Sequence, residues 1–282
     1  VTVQVVTDAS ASLPQDVVDE LGIDVIDLHV MAGQGKDGTE RSTSGLSALE
    51  LAAAYGRAME RSRRDGQDDG VVAIHLSKVL SSTYSQAVNA SGVFDEDKIR
   101  VIDSESAGMV MGAAAMAAAR LALDGADVQE CFEAAQDTLR RAKTWAYIQS
   151  IDALRKSGRM SATTAMLSTA LLATKPIMSI TDGKLELVGK TRTQTKAFSK
   201  LVELVAERAD GEPAFVAIQH CNAPEPAELL RELLEQALPE GTSFITCPLN
   251  EVIAVHAGPG AIAVSVVFSS EAPEPTPANQ RR

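Results

Sequence analysis

Short apolar runs alternate with helix-patterned segments through the first half of the chain, and no other feature constrains the fold as tightly. The runs VQVVTD (3–8), IDVIDLHVMA (23–32), VVAIHLS (71–77) and IRVIDS (99–104) have the length and continuous apolar character of strands covered on both faces. Between them, segments such as LPQDVVDELG carry an early proline, Pro14, and a closing glycine, Gly22. This β-α-β alternation predicts a mostly parallel sheet with flanking helices. Two more helices are expected over 106–124 and 127–142, split by DGADV.

A new series begins with TWAYIQS (144–150). Helices over 151–158 and 161–173, the runs KPIMSI (175–180) and KLELVGK (184–190), and a helix to about Arg208 follow. Asp182-Gly183 between two apolar runs is a strong hairpin signal. AFVAIQHC, the helix PEPAELLRELLEQAL, SFITCPL, VIAVHAG and AIAVSVVF complete a mixed sheet, with VIAVHAG and AIAVSVVF expected as strands on either side of a tight turn. The chain of 282 residues is thus expected to form a two-domain α/β protein: 1–143 a parallel-sheet domain, 144–270 an α+β domain with a mixed sheet. The tail 271–282 is Pro-rich and polar and cannot bury enough surface to order itself.

Charge narrows the function classes. A net charge of −12 disfavours nucleic acid, which is held by neutralising many phosphates. The window 151–200 stands apart, with nine basic residues against Asp152, Asp182 and Glu186, a net +6. It reads as a solvated stretch or as a docking face for an anionic partner or membrane headgroups. Cys131, Cys221 and Cys247 lie far apart, without metal-ligand or redox spacing, so no metal site and a reducing, cytoplasmic setting are expected. The N-terminal VTVQVVTDAS has no signal-peptide pattern, and AGMVMGAAAMAAARLAL, interrupted by Arg120, reads as a buried helix.

Five stretches hold the candidate chemistry. In TDASASLP (7–14), Asp8 and Ser10 are expected at a crevice outside a C-terminal strand end, with capping the plainer role for Ser12. In ERSTSGLSALEL (40–51), one of Thr43, Ser44 and Ser47 is expected to cap the next helix, leaving the others free to bind. SKVLSSTYSQA (77–87) places hydroxyls in a loop at another strand end, with Ser82 and Thr83 expected as helix caps. It has no glycines to wrap a phosphate and no Gly-x-Ser-x-Gly elbow for a nucleophile. HAGPGA (256–261) sets His256 beside a turn built on Gly258, Pro259 and Gly260, and LRKSGRMSATTAMLSTALLATKPIM (154–178) joins a basic turn to an apolar, Met-containing helix.

Together, VTDASASLP, STSGLS, SKVLSSTYSQA, VIDSESAGMVMG, LRKSGRMS, KPI with DGKLE and KTRTQTKA, and HAGPGA resemble the DegV family of bacterial fatty-acid-binding proteins, from about Val3 to Phe268. The resemblance implies two α/β domains with a long-chain fatty acid buried between them and no cofactor. It carries the carboxylate contacts onto Thr43, Ser81 and His256, with Asp8, Ser10, Ser82, Gly258 and Gly260 as pocket support. It also implies presentation of the acid to an ATP-dependent fatty-acid kinase, with Arg159, Lys190 and Arg192 as candidate docking residues and transient membrane contact. Two departures stand out: Gly45-Leu46 replaces the family's common Gln-Pro, and Ser82 replaces a glycine.

The chemistry of such a site is coherent. A carboxylate only accepts hydrogen bonds, so hydroxyls and an imidazole N–H suit it. Burial contributes about 0.8 kcal/mol per methylene, so roughly 14 methylenes supply on the order of 11 kcal/mol before costs. Hydrogen bonds to a charged head add roughly 1.5–3 kcal/mol each. The tail then dominates affinity and the head sets orientation. The alternative is an enzyme, a hydrolase or kinase-like phosphotransferase using Ser81 and His256, but neither an orienting acid for His256 nor an oxyanion loop is evident.

Overall fold

The computed structural model describes residues 2–32, 41–64 and 67–272. Strand β1 (Gln4–Asp8) leads through α1 (Gln15–Leu21) to β2 (Asp24–Ile26), β3 (His29–Ala32) and β4 (Arg41–Ser44). Helix α2 (Ala48–Ser62), the short β5 (Arg63–Arg64) and β6 (Gln67–Asp68), β7 (Val71–His75), α3 (Thr83–Ser91), β8 (Ile99–Asp103), α4 (Met109–Leu123) and α5 (Val128–Arg140) follow. The first sheet runs β2-β1-β7-β8, every pair parallel. The run 23–32 is thus not one strand: β2 joins this sheet, while β3 turns away to pair antiparallel with β4.

Strand β9 (Ala142–Tyr147) opens the second sheet. Next come α6 (Asp152–Ser157), α7 (Ala162–Leu167), β10 (Lys175–Thr181), β11 (Lys184–Thr191), α8 (Gln194–Ala209), β12 (Phe215–His220), α9 (Pro224–Ala237), β13 (Ser243–Pro248), α10 (Glu251–Ala257) and β14 (Ile262–Val267). The order is β11-β10-β9-β14-β12-β13, antiparallel except for β12 with β13, which makes the sheet mixed as expected. Asp182 and Gly183 both have positive φ, 48° and 74°, the backbone a tight β10–β11 hairpin requires.

Two expectations in this half need correction. VIAVHAG is helix α10, not a strand. Asn250 Oδ1 accepts from Val252 N (3.0 Å) as its N-cap, and Gly258 closes it. The segment 161–173 is not one helix either: α7 ends at Leu167 and passes into a 3-10 turn over Ser168–Leu171.

Packing divides into layers. Leu51, Tyr55, Val71, Ile74 and Met111 belong to the core around the first sheet. Phe198, Leu201, Leu230 and Leu234 of α8 and α9 cover one face of the second sheet. Its other face carries a smaller cluster, including Ile148, Leu154, Met178 and Ala261. Buried α4 has no charged residue until Arg120, and no helix among the described residues is long and apolar enough to cross a membrane. The expected tail falls outside the described residues from 273 onward, although Glu271 is described and pairs with Arg140 (2.7 Å).

Polar contacts stitch the two halves. Gln219 of β12 donates to Ser12 O (2.9 Å) and accepts from Met109 N (2.9 Å), at the start of α4. Ser12 Oγ accepts from Asn250 N (2.9 Å), so its hydroxyl joins the halves and does not cap a helix. Ser77 Oγ donates to Gly183 O (2.8 Å), seating the hairpin tip on the loop that leads to Ser81.

Candidate functional site

A cavity, partly open to solvent, lies between the C-terminal ends of the first sheet and the inner face of the second. Leu76, Leu80, Ile148, Leu154, Met178 and Leu185 are among the apolar residues that line it. Thr43, Ser81, His256 and Arg159 also line it. An apolar chamber with a few polar groups on its wall suits an amphipathic ligand.

Each of these groups arrives on a different element. Thr43 sits near the end of β4, and Ser47, four residues on, caps α2 through a full capping box with Glu50. Of the three hydroxyls expected to compete for that cap, Ser47 takes it and Thr43 is left to the cavity. Ser81 ends the turn after β7, where Leu80 N and Ser81 N both donate to Ser77 O (3.0 and 3.1 Å). His256 lies in the last turn of α10. Arg159 follows Gly158, whose φ of 69° ends α6.

Thr43 Oγ1 and His256 Nε2 share a hydrogen bond of 2.7 Å. Burial, reinforced by the positive charge of Arg159, lowers the His256 pKa to about 4, so the imidazole is neutral at pH 7. Arg159 is therefore the permanent cation on the cavity wall. Its guanidinium donates to Ser157 O and keeps further N–H groups for an anion. A candidate docking residue in the sequence, it is half-buried and lines the cavity, where the Gly158 turn brings it. Lys190 and Arg192 are exposed at the end of β11 and just beyond it.

The Thr43 and Ser81 loops lie directly on one another. Leu46 N donates to Thr83 Oγ1 (3.2 Å), and Thr83 Oγ1 in turn contacts Ser81 Oγ (3.0 Å). A Cβ on Gly45 would fall 2.8 Å from Ser82 Oγ and 3.1 Å from Ser81 Oγ, so this close approach admits only glycine without displacement. The departure at Gly45 thus has a local reason. Ser82 occupies the N-cap position of α3 but makes no capping bond, and the hydroxyl that accepts a backbone N–H there is Ser81 Oγ, from Thr83 N (3.2 Å).

Other expected residues stand off the cavity. Asp8 and Ser10 are completely buried and do not line it. Asp8 Oδ1 accepts from Ser10 N (3.1 Å) and Ser10 Oγ; Oδ2 accepts from Leu76 N (3.1 Å) and His75 Nδ1 (3.0 Å). His75 Nε2 then accepts from the Tyr55 hydroxyl (2.7 Å), whose pKa burial pushes up, helped by the Asp8 charge. Gly258 and Gly260 flank the cavity residues Ala257 and Ala261 without lining it. A Cβ on Gly260 would sit 2.9 Å from Gln149, where φ is already +81°.

The enzyme alternative finds no support in these contacts. His256 Nε2 engages Thr43 and Ser81 Oγ engages Thr83, so nucleophile and base are not paired. The carboxylate–imidazole pairs found among the described residues, Asp8 with His75 and Glu50 with His29, both lie outside the cavity lining.

Comparison with known proteins agrees with this architecture. The family model described as "Uncharacterised protein, DegV family" matches residues 2–269. A DegV domain-containing protein of Corynebacterium glutamicum is 57% identical over 272 residues, covering 96% of each chain. The crystal structure of a DegV family protein from C. glutamicum superposes with a TM-score of 0.91 at 56% identity, over 96% of this chain and 98% of that one. That of Bacillus subtilis DegV, described as a fatty acid binding protein, gives 0.80 at 27% identity, over 95% and 99%. With the family model matching residues 2–269 and a 57% identical relative covered over 96% of its length, the chain belongs to the DegV family.

Proposed function

We propose that this protein binds a long-chain fatty acid in the cavity between its two halves and does not transform it. The observation that carries this reading is a mostly apolar cavity lining that also carries Thr43, Ser81, His256 and Arg159, which form the head-binding part in this proposal. The B. subtilis relative is described as a fatty acid binding protein, which supports the same assignment. Taking 1–143 and 144–270 as domains, each contributes to the grip: Thr43 and Ser81 from the first, His256 and Arg159 from the second. Guanidinium and hydroxyl groups donate to the carboxylate, Thr43 doing so with its Oγ1 accepting from His256 Nε2–H, and neutral His256 adds no second permanent charge that would oppose release.

The protein is read here as a carrier in a cytoplasmic setting. The acid it holds is presented to an ATP-dependent fatty-acid kinase, with Lys190 and Arg192 on the docking side and transient contact with a membrane surface. Mass spectrometry of the purified protein after extraction into organic solvent tests the binding step. A co-purified long-chain acid, or stoichiometric uptake of palmitate or oleate by stripped protein, is expected. Absence of both overturns the proposal. Mixing loaded protein with a fatty-acid kinase and ATP, and detecting acyl phosphate, tests the presentation step separately.

A further inference from the structure

Thr83 is fully buried, does not line the cavity, and touches both loops that bring hydroxyls to it. A hydroxyl has one proton to donate and two lone pairs. At Ser81, one lone pair is taken by Thr83 N (3.2 Å). The contact between Ser81 Oγ and Thr83 Oγ1 (3.0 Å) then has two possible directions. If Ser81 donates, its only proton is spent inside the loop and it has nothing to offer an acceptor-only carboxylate. If Thr83 donates, both Ser81 lone pairs are filled and its proton is free for the cavity.

We propose that Thr83 is a positioning residue that donates its proton to Ser81, with Leu46 N held in return, and so fixes Ser81 as a donor aimed at a carboxylate head group. This rests on the reading of the cavity as a fatty-acid site and deepens it by naming what sets head-group selectivity. The acceptor half of the arrangement is already made: Leu46 N, an obligate donor, occupies one lone pair of Thr83 Oγ1 (3.2 Å). Leu46 follows Gly45, so Thr83 also fixes the height of the Thr43 loop above Ser81. A head group that both donates and accepts, such as an alcohol, gains less from a Ser81 locked as donor than a carboxylate does.

The test compares hexadecanoic acid with hexadecanol by competitive displacement of a fluorescent fatty acid from the full chain. Thr83→Val is expected to lower the acid-over-alcohol preference about fivefold, the scale of one net hydrogen bond, with alcohol affinity little changed. Thr83→Ser is expected to recover most of that preference. In a Ser81→Ala background, Thr83→Val should change the ratio no further. Equal weakening of both ligands, or an unchanged ratio, would show a merely structural hydroxyl and overturn the proposal. Should Thr83→Val fail to fold, Thr83→Cys, with its feeble S–H donor, carries the same expectation. A wild type that binds neither ligand would bring down the fatty-acid reading itself, a result distinct from a wild type that binds the acid and a Thr83→Val variant that binds it equally well.

Discussion

Two histidines in this molecule each bond to a hydroxyl at 2.7 Å, His75 to Tyr55 and His256 to Thr43, and their surroundings give them opposite roles. His75 is fully buried, its other nitrogen meets Asp8, and Asp8 spends both oxygens on four donors. Nothing in that network is left to bind a ligand. His256 borders a cavity beside a guanidinium, and Ser81 shares that cavity. The difference teaches that residue type identifies neither site: the balance of spent and unspent donors does.

The largest effect should come from breaking the closed network. Asp8→Ala strips partners from Ser10, His75 and Leu76 N, and a loss of about 3–5 kcal/mol in urea unfolding is expected. A loss below about 1 kcal/mol would show that the network is not the structural element described. Thr43→Ala and Ser81→Ala should instead leave stability within about 1 kcal/mol while weakening palmitate binding by one to two orders of magnitude, read by calorimetry.

Arg159→Met sharpens the comparison within the open site. Removing the cation should weaken binding of the acid, and His256 should titrate at higher pH because one cause of its lowered pKa is gone. Imidazole NMR signals followed across pH report the second effect. An unchanged His256 would show that the guanidinium does not act on this imidazole.

The last effect concerns stability against pH. His256 titrates near 6.5 when unfolded and at about 4 when folded, so the unfolded chain binds a proton first as pH falls. Its contribution is fully present above about pH 6.5 and is lost between there and about pH 4. His256→Gln should flatten the urea-midpoint curve in that window alone.

Much of this was legible in the sequence because periodicity and turn chemistry are local. Strands β1, β7 and β8 and the Asp182-Gly183 hairpin follow from neighbours along the chain, whereas the split of 23–32 into β2 and β3, and the choice of Ser47 as cap over Thr43 and Ser44, do not. Val252, Ile253 and Val255 favour a strand and so mask helix α10, although Asn250 before it and Gly258 after it signal a helix. The charge window marks Arg159 as a candidate docking residue, but its place on the cavity wall comes only from the packing after α6. The role of Thr83 depends on Leu46, 37 residues away, and the closure of Asp8 on His75 and Leu76, 67 and 68 residues away. No local signal encodes such contacts.

The central claim is that an ionised head group sits among Thr43, Ser81, His256 and Arg159. NMR of palmitate labelled with 13C at its carboxyl carbon, bound to the stripped protein and titrated with acid, tests it most directly. One bound resonance, still ionised at pH values where free fatty acid is protonated and lost in Ser81→Ala, is the predicted result. A bound carboxyl that titrates like the free acid and ignores Ser81→Ala would contradict it.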